Sequence, residues 1–316
     1  MDLNARIFIA GSKGLVGSAI IRCLEKQGYT NLLTPSHSEL ELMDQNAVSD
    51  YFEKKQPEYI FLAAAKVGGI MANNTFPADF IYQNLMVQTS IIHQSYKHSV
   101  KKLLFLGSSC IYPKHCPQPM KEAYLMTGLL EPTNSAYATA KIAGIEMCWA
   151  YNRQYGTGFI PVMPTNLYGP NDNFDLETSH VLPALIRKFH EAKLNKDKSV
   201  TVWGTGSPKR EFLHVDDLAE ACLFLMNKHF KKEDYKDKPL FNIGTGKDIS
   251  IKKLAQLIKR ITKFQGDIVF DTLKPDGTPQ KLLDVAIMNQ LGWESAISLE
   301  DGIQNVYQKV VEISQI

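Results

Sequence analysis

The sequence predicts an α/β protein with a doubly wound parallel sheet and a smaller C-terminal α/β lobe. Short apolar runs alternate with amphipathic helical patterns over roughly the first half of the chain, and a glycine-rich turn follows the first run. Prolines and glycines become more frequent after about residue 165. Strands separated by helices imply right-handed crossovers, and these give a parallel sheet covered on both faces.

The individual elements follow from hydrophobic periodicity and from the residues that end helices. The first half is expected to contain strands at 6–10, 58–65, 102–107 and 159–163, with helices at 16–27, 45–55, 78–98 and 137–154. The second half is expected to contain a strand at 210–215, helices at 216–226, 250–263 and near the C-terminus, and polar loops at 191–199 and 231–239.

Composition excludes several classes of protein. The chain has 316 residues, 44% apolar and 22% charged, which is ordinary globular usage for one large or two moderate domains. A net charge of +2 gives no reason to expect a nucleic acid or membrane partner. The N-terminus lacks a signal-peptide pattern and no apolar stretch is long enough to span a bilayer, so a cytoplasmic location is expected. Five cysteines without a Cys-x-x-Cys pair argue against disulfides and a zinc site, and no metal is expected.

A glycine turn lies between the first strand and the first helix, and it is the first candidate binding feature. Its residues are Gly11, Ser12, Lys13, Gly14, Leu15, Val16 and Gly17. Such a turn lets backbone N–H groups approach a pyrophosphate, and the positive end of the helix favours the negative charge. A purely structural turn can have similar glycines, but the position directly after an N-terminal strand favours dinucleotide binding.

The choice of cofactor depends on the end of the second strand. Proteins that bind NAD usually carry an acidic residue there, about 20 residues after the turn, to hold the ribose 2′-hydroxyl. Residues 33–38 contain no carboxylate before Glu39. Lys13 can reach a 2′-phosphate, although it can also be merely solvated. We therefore favour NADP(H) as the cofactor.

A Tyr-x-x-x-Lys pattern supplies the candidate catalytic centre. Tyr137 and Lys141 are four residues apart on a predicted helix, so both lie on one face. A nearby ammonium stabilises phenolate and is expected to lower the phenol pKa, which makes the tyrosine useful for proton transfer. Ser108, at the end of a predicted strand, can donate a second hydrogen bond to the same substrate oxygen. The pattern alone is common on helix surfaces; the glycine turn and the serine make it specific.

These motifs resemble the extended short-chain dehydrogenase/reductase superfamily with its Rossmann-type domain and, within it, the GDP-L-fucose synthase family. The similarity runs nearly end to end. The matching stretches are 63–70, 72–75, 107–113, 163–170, 172–174, 179–181, 210–217 and 274–279.

The resemblance implies an NADPH-dependent enzyme with a GDP-sugar substrate. Such an enzyme converts GDP-4-keto-6-deoxymannose to GDP-L-fucose by epimerisation at carbons 3 and 5 and then reduces the ketone at carbon 4. It implies that Ser108, Tyr137 and Lys141 stabilise the substrate oxygen in both stages. It also implies that Cys110 and His180 are the pair that exchanges protons during epimerisation. Without the resemblance, Cys110 can equally be a buried apolar residue and His180 a helix-capping histidine.

The remaining site residues are implied by the same matching. Further cofactor contacts fall on Leu106, Gly107, Ser109, Pro164, Thr165, Asn166 and Leu167, besides Lys141 and His180. Substrate contacts fall on Arg187 or Lys188, Trp203, Arg210 and Asp276. An arginine suits a diphosphate because its planar fork makes bidentate bonds. A tryptophan at position 203 is otherwise more typical of a core.

The implied division is a dinucleotide-binding domain over residues 1–165, joined by segments near 211–242 and 284–300, and a mainly substrate-binding lobe over 166–316. Helices around 82–98 and 137–154 can pair with those of a second copy across a two-fold axis, so a homodimer is expected. The simpler alternative is that the outer faces of these helices are exposed to solvent.

One departure concerns the 2′-phosphate. Family members carry arginines in the glycine turn and near the end of the second strand, where this chain has Lys13, Pro35 and His37. The preference for NADP over NAD is therefore expected to be less strict.

Two other classes of protein compete with this interpretation. A sugar-nucleotide 4,6-dehydratase typically has an Asp-Glu pair where this chain has Ser109-Cys110, and a 4-epimerase retains a tightly bound NAD. A non-catalytic NADP-sensing protein usually lacks the tyrosine or the lysine, and both are present.

Overall fold

A computed structural model describes residues 1–176, 178–274 and 276–312. Pro275, within the matching stretch 274–279, lies outside the described residues, as do Glu177 and residues 313–316 of the predicted C-terminal lobe.

The central sheet has six parallel strands in the order β2-β1-β3-β4-β5-β9. The strands are β1 (Ile7–Ala10), β2 (Leu32–Leu33), β3 (Tyr59–Leu62), β4 (Lys102–Leu106), β5 (Phe159–Pro164) and β9 (Phe241–Ile243). The predicted doubly wound parallel sheet of the Rossmann type is thus confirmed. Because β2 and β3 lie on opposite sides of β1, the chain changes direction at the end of β1, and ligands bind at such a switch point.

Helices cover both faces of this sheet because side chains alternate along each strand. Ile7 and Ile9 belong to one buried cluster, which includes residues of α1 and α7, whereas Phe8 and Ala10 belong to a second cluster with α2, α4 and α5. The helices are α1 (Leu15–Lys26), α2 (Gln45–Lys55), α4 (Pro77–Lys97), α5 (Ser135–Tyr155) and α7 (Val215–Asn227), with the short α3 (Ile70–Thr75) before α4. α4 and α5 pack against each other.

A second group of strands is centred on β8. Strand β8 pairs antiparallel with β10 and parallel with β12 and β6, and β7 pairs parallel with β11. These strands are β6 (Asn166–Tyr168), β7 (Ser199–Trp203), β8 (Lys209–His214), β10 (Asp248–Ser250), β11 (Asp267–Asp271) and β12 (Gln280–Lys281). A third buried cluster joins them to α6 (Val181–Asn195), α9 (Ile251–Thr262) and α11 (Leu299–Glu312). The short helices α8 (Lys232–Lys236) and α10 (Ala286–Leu291) complete the described structure.

Two predicted loops are wrong. The segment 191–199 is helical as far as Asn195, because Glu191 forms an i,i+4 ion pair with Arg187 at 2.7 Å and Ala192 is buried. The helix ends where Lys196 adopts a left-handed conformation. The charged segment 231–239 contains α8, and the carboxylate of Asp234 in its first turn accepts the backbone N–H of Lys231, the residue before the helix, at 2.7 Å. In both segments, many polar residues face the solvent, so the hydrophobic periodicity of the helix is not visible in the sequence.

Within the described ranges, the structure contains no helix that is both long enough and apolar enough to cross a membrane.

Candidate active site

The glycine turn joins β1 to α1 in very little space. Gly11 has a φ of 84°, and a Cβ there would lie 2.7 Å from the backbone nitrogen of Ala64. A Cβ on Gly17 would overlap the carbonyl oxygen of Gly11. Gly14 is the N-cap of α1, and among the described residues no side chain caps the N–H groups of the first turn. These donors at the positive end of α1 fit the pyrophosphate of a dinucleotide.

Polar groups surround the end of β2, where a 2′-phosphate would lie. Glu39 accepts hydrogen bonds from the backbone N–H and the hydroxyl of Ser36, both at 2.7 Å. These bonds, and to a lesser extent the charge of the exposed Lys13, hold the pKa of Glu39 below its usual value. His37 lies 3.0 Å from Glu41. Lys13 therefore stands near this strand end, as expected, but a carboxylate stands there with it.

The predicted Tyr-Ser-Lys group comes together at the end of β4. The Tyr137 hydroxyl on α5 interacts with the side chain of Ser108. The hydroxyl oxygen of Ser108 also accepts the backbone N–H of Cys110 at 3.3 Å. One turn after Tyr137, the buried Lys141 ammonium donates to the carbonyl oxygen of Leu106 at 2.8 Å. Two hydroxyl groups thus converge where a substrate oxygen can be held.

Burial dominates the electrostatics of this group. Loss of hydration raises the pKa of Tyr137, the nearby Cys110 raises it further, and the bond to Ser108 opposes both. Burial lowers the pKa of Lys141 to about 7. The expected lowering of the phenol pKa by Lys141 is therefore wrong for the structure as it stands. A phenol that keeps its proton at neutral pH can give it to a developing alkoxide.

The thiol and the imidazole share one cationic neighbour. Cys110 lies in a turn of 3₁₀ helix (Ser109–Ile111), and its Sγ is 3.8 Å from the ammonium of Lys281. His180 is the residue before α6. Although part of its ring is open to solvent, loss of hydration lowers the pKa of His180, and the charge of Lys281 lowers it further. A neutral imidazole can accept a proton at neutral pH.

The predicted substrate-binding residues form a line away from Cys110. Arg210 is half-buried, and it interacts electrostatically with Cys110 and Asp276. The two carboxylate oxygens of Asp276 accept the backbone N–H and the hydroxyl of Thr205, both at 2.7 Å. Thr205 follows two residues after Trp203 in the chain, so the contacts through Arg210 and Asp276 lead from Cys110 towards the indole.

Trp203 is not a core residue. Its side chain is 57% exposed, and the ammonium groups of Lys188 and Lys274 lie 5.5 and 5.3 Å from the ring centre. Arg187, the other candidate beside it in the sequence, bonds instead to Glu191 at 2.7 Å and to a backbone carbonyl. The structure thus brings Lys188, rather than Arg187, to the indole.

The cofactor contacts expected near residues 164–167 lie where β5 ends and β6 begins. Pro164 is the last residue of β5, and Leu167 lies in β6. The Thr165 hydroxyl and the Asn166 amide donate to the backbone oxygen of Glu211 at 3.3 and 2.7 Å. On the neighbouring strand, Leu106 ends β4, the Gly107 N–H donates to a carbonyl of β5, and Ser109 is buried.

Comparison with known proteins identifies the family. The model of the NAD dependent epimerase/dehydratase family matches residues 7–244. This chain belongs to that family. It is 57% identical over 312 residues to a putative GDP-L-fucose synthase 2 of Arabidopsis thaliana, an alignment that covers 99% of this chain and 93% of the relative. It is 54% identical to the GDP-L-fucose synthase of Escherichia coli, with 97% of each chain covered. A GDP-L-fucose synthetase from Naegleria fowleri bound to NADP superposes with a TM-score of 0.90 at 29% identity, over 100% of this chain and 96% of that one.

The epimerase/dehydratase motifs do not reveal every residue of the site. Lys281 comes next to Cys110 from a position 171 residues away, so no local spacing could have indicated it. Asp172 lies within a matching stretch but was not among the predicted site residues. Burial raises its pKa to about 7, and within the described structure its Oδ2 has no hydrogen-bond partner. Glu211, in the Arg210–Asp217 stretch, is fully buried.

Proposed function

We propose that this protein converts GDP-4-keto-6-deoxymannose to GDP-L-fucose with NADPH, by epimerisation at carbons 3 and 5 followed by reduction at carbon 4. Identities of 51–57% to several GDP-L-fucose synthases over nearly the full chain support this activity. The observation that carries the proposal is the placement of Cys110 beside the Ser108–Tyr137 pair: its N–H bonds the same Ser108 hydroxyl that reaches the phenol. A group that can move protons from carbon thus adjoins a group that can hold a ketone oxygen.

The glycine turn and the strand ends fit NADP(H). The free N–H groups of α1 would hold the pyrophosphate, and Lys13 with the Ser36 hydroxyl would face the 2′-phosphate. Lys141 and Asn166 would lie on the nicotinamide side, at the carboxyl ends of β4 and β5. When bound, NADPH supplies the hydride for the ketone at carbon 4.

Tyr137 and Ser108 carry the chemistry at the ketone oxygen. Both hydroxyls donate to that oxygen while negative charge develops on it, first as an enolate and then as an alkoxide. Because its pKa is raised, Tyr137 holds its proton until the alkoxide forms and then transfers it. Lys141, whose pKa is about 7, is partly protonated at neutral pH, and its ammonium, 5.9 Å from the centre of the Tyr137 ring, is a proton source near the phenol.

Cys110 and His180 carry the proton transfers at carbon. The ketone at carbon 4 acidifies the C–H groups at carbons 3 and 5, and inversion requires a base on one side of the sugar ring and an acid on the other. Thiol and imidazole both exchange protons near neutral pH. Loss of hydration and, to a lesser extent, the charge of Lys281 lower the pKa of His180, which favours the neutral imidazole that can accept a proton.

The residues from Arg210 to Trp203 suit the GDP moiety. The guanidinium of Arg210 can form bidentate bonds with a diphosphate. The exposed indole of Trp203 offers an aromatic surface for the purine, and the ammonium groups of Lys188 and Lys274 lie over its ring.

We expect a cytoplasmic homodimer. α4 and α5 pack on each other, and their outer side carries an aromatic group in which Tyr96 stacks on Tyr155 with 4.1 Å between ring centres. Tyr82 and Tyr155 are 60% and 45% exposed. Pairing of the two helices with those of a second copy would cover these rings. Light scattering on the purified chain tests this, and a monomer mass at micromolar concentration would contradict it.

The activity is tested by incubating the protein with GDP-4-keto-6-deoxymannose and NADPH in deuterated water. NMR should show GDP-L-fucose with deuterium at carbons 3 and 5, formed with one NADPH oxidised per product. A product that keeps its original configuration at both carbons would mean that the protein reduces the ketone but does not epimerise the sugar. Release of water from GDP-mannose without NADPH consumption would indicate a dehydratase instead.

A further inference from the structure

A buried carboxylate joins three segments of the chain behind the site. Glu211 on β8 has no accessible surface. Its Oε1 accepts the backbone N–H groups of Thr245 and Gly246 at 2.6 and 2.7 Å, and its Oε2 accepts the N–H of Leu283 at 2.9 Å. Burial raises the pKa of Glu211, and the hydrogen bonds oppose this rise. An ionised carboxylate has the acceptor capacity for all three donors.

The turn after β9 is shaped around this carboxylate. A Cβ on Gly244 would overlap Oε1 of Glu211, so only glycine lets the backbone come this close. The successive N–H groups of Thr245 and Gly246 then form a concave anion-binding turn. The Thr245 hydroxyl adds a weaker contact at 3.4 Å. The carboxylate thus takes, inside the protein, the place that a bound anion would take in such a turn.

The bond to Leu283 fixes the segment that carries Lys281. Lys281 pairs with Arg210 in the β12–β8 ladder, directly before Glu211 on β8. The other side of the segment is held by Met120, whose N–H donates to Leu282 at 2.7 Å. Lys281 is therefore held from both sides, and its ammonium ends 3.8 Å from Sγ of Cys110.

We propose that Glu211 is a positioning residue for epimerisation: by fixing the Leu283 N–H it sets the place of Lys281, and thereby the charge beside Cys110 and His180. Glu211 itself touches neither thiol nor imidazole in the described structure. The inference rests on the proposed function, because it assigns Glu211 to one half of that reaction only.

The two half-reactions depend on different parts of Glu211. Its side chain holds the N–H of Leu283, two residues after Lys281, and the turn after β9, with a lesser contact to the Thr165 side chain. Its backbone oxygen accepts Asn166 and Thr165 on the nicotinamide side. A change in the side chain leaves the backbone oxygen in place. Glu211→Gln, whose amide presents a donor to N–H donors, should therefore disturb the charge beside the thiol more than the nicotinamide side.

The test measures the two half-reactions separately. Proton exchange is followed as deuterium entry at carbons 3 and 5 of GDP-4-keto-6-deoxymannose. Hydride transfer is followed in reverse, as NADPH formed in a single turnover from GDP-L-fucose and NADP⁺, because this step precedes any epimerisation. In Glu211→Gln we expect exchange to fall by about tenfold to a hundredfold, since a displacement of about 1 Å can cost that much, and hydride transfer to change by less than about threefold.

A double-mutant cycle shows whether Glu211 acts through Lys281. If it does, Glu211→Gln combined with Lys281→Met should exchange no more slowly than Lys281→Met alone. Multiplying effects would overturn the proposal, and so would equal losses of exchange and hydride transfer. Where Glu211→Gln does not fold, Gly244→Ala takes its place, because its methyl displaces the carboxylate without removing the charge.

A matched control separates positioning from stability. Thr262→Val removes a buried hydroxyl that bonds the Ile258 carbonyl at 2.9 Å in the same lobe. It should lower the thermal midpoint and leave both half-reactions unchanged. The wild-type enzyme distinguishes a failure of the positioning role from a failure of the proposed function. If wild type forms GDP-L-fucose but Glu211→Gln exchanges normally, the positioning role is wrong; if wild type neither exchanges nor reduces, the proposed function is wrong.

Discussion

The phenol of Tyr137 interacts with the side chain of Ser108 at the end of β4, although the two residues come from different elements of the fold. Ser108 also caps the 3₁₀ turn that carries Cys110. The turn, the serine and the tyrosine therefore form one unit. A substrate oxygen held by the two hydroxyls would sit next to the residue proposed to remove protons from its neighbouring carbons.

Replacing Tyr137 with Phe should slow ketone reduction by roughly a hundredfold to ten-thousandfold, the usual contribution of a positioned proton donor. NADPH affinity should stay within about threefold, because the phosphate turn lies on another element. Stopped-flow absorbance measures the rate, and NADPH fluorescence measures the affinity. Tyr82→Phe, at a side chain 60% exposed, serves as the control and should have no effect. Reduction at near wild-type rate in Tyr137→Phe would remove the phenol from its role.

Replacing Cys110 with Ser should slow deuterium entry at carbons 3 and 5 by about a hundredfold or more, because an aliphatic hydroxyl is a far weaker acid than a thiol and hardly ionises at neutral pH. Reverse hydride transfer from GDP-L-fucose should persist. Cys116→Ser is the matched control, since Lys281 also acts on Cys116. Unchanged exchange in Cys110→Ser, or equal loss in both variants, would contradict the assignment.

The sequence predicts most of the fold because local signals mark it. Helix α2 was predicted at its observed bounds: Asp44 caps its first N–H groups and Gln56 leaves it in a left-handed conformation. Helix α6 was not predicted, and its last turn falls in a predicted loop because that turn is polar on its outer side. Among the site residues, Ser108 and Cys110 are marked by a contiguous motif. Lys281 is placed only by pairing of distant strands, and no motif indicates that. The direction of the pKa shift of Tyr137 was also predicted wrongly, because the Tyr-x-x-x-Lys spacing does not indicate how deeply the phenol is buried.

The pH dependence of stability tests the buried ammonium of Lys141. Its pKa is about 7 in the folded protein and about 10.5 when solvated. Between these values the unfolded chain holds a proton that the folded chain has released, so this group makes the free energy of unfolding rise with pH. Below about pH 7 both states carry the proton and the contribution is constant. Urea unfolding of wild type and Lys141→Met should therefore give a difference that increasingly favours wild type from about pH 7 to pH 10. A stability difference that does not change with pH would mean that the Lys141 ammonium is solvated in the folded protein.

The exposed indole of Trp203 is expected to serve binding rather than folding. Trp203→Ala should raise the Kd for GDP by about tenfold, since stacking and cation contacts together contribute about 1–2 kcal/mol. The thermal midpoint should hardly change, because the side chain is 57% exposed. Calorimetric titration measures the Kd for GDP, and thermal unfolding measures the midpoint. Leu194→Ala, at a 66% exposed side chain of α6, is the control. A large drop in the midpoint of Trp203→Ala without weaker GDP binding would make the indole structural.

Two glycines of the phosphate turn should respond differently to the same change. Gly14 has an extended backbone conformation, and an added methyl would have only the Gly11 oxygen near it, at 3.5 Å. Gly14→Ala should therefore fold with wild-type stability, while its methyl, at the start of α1, hinders the pyrophosphate and raises the Kd for NADPH by about tenfold or more. Gly17→Ala should lose stability as well as binding, because its methyl overlaps the backbone of Gly11. NADPH fluorescence titration and thermal unfolding of both variants check this. Wild-type NADPH affinity in Gly14→Ala would mean that the pyrophosphate does not bind at this turn.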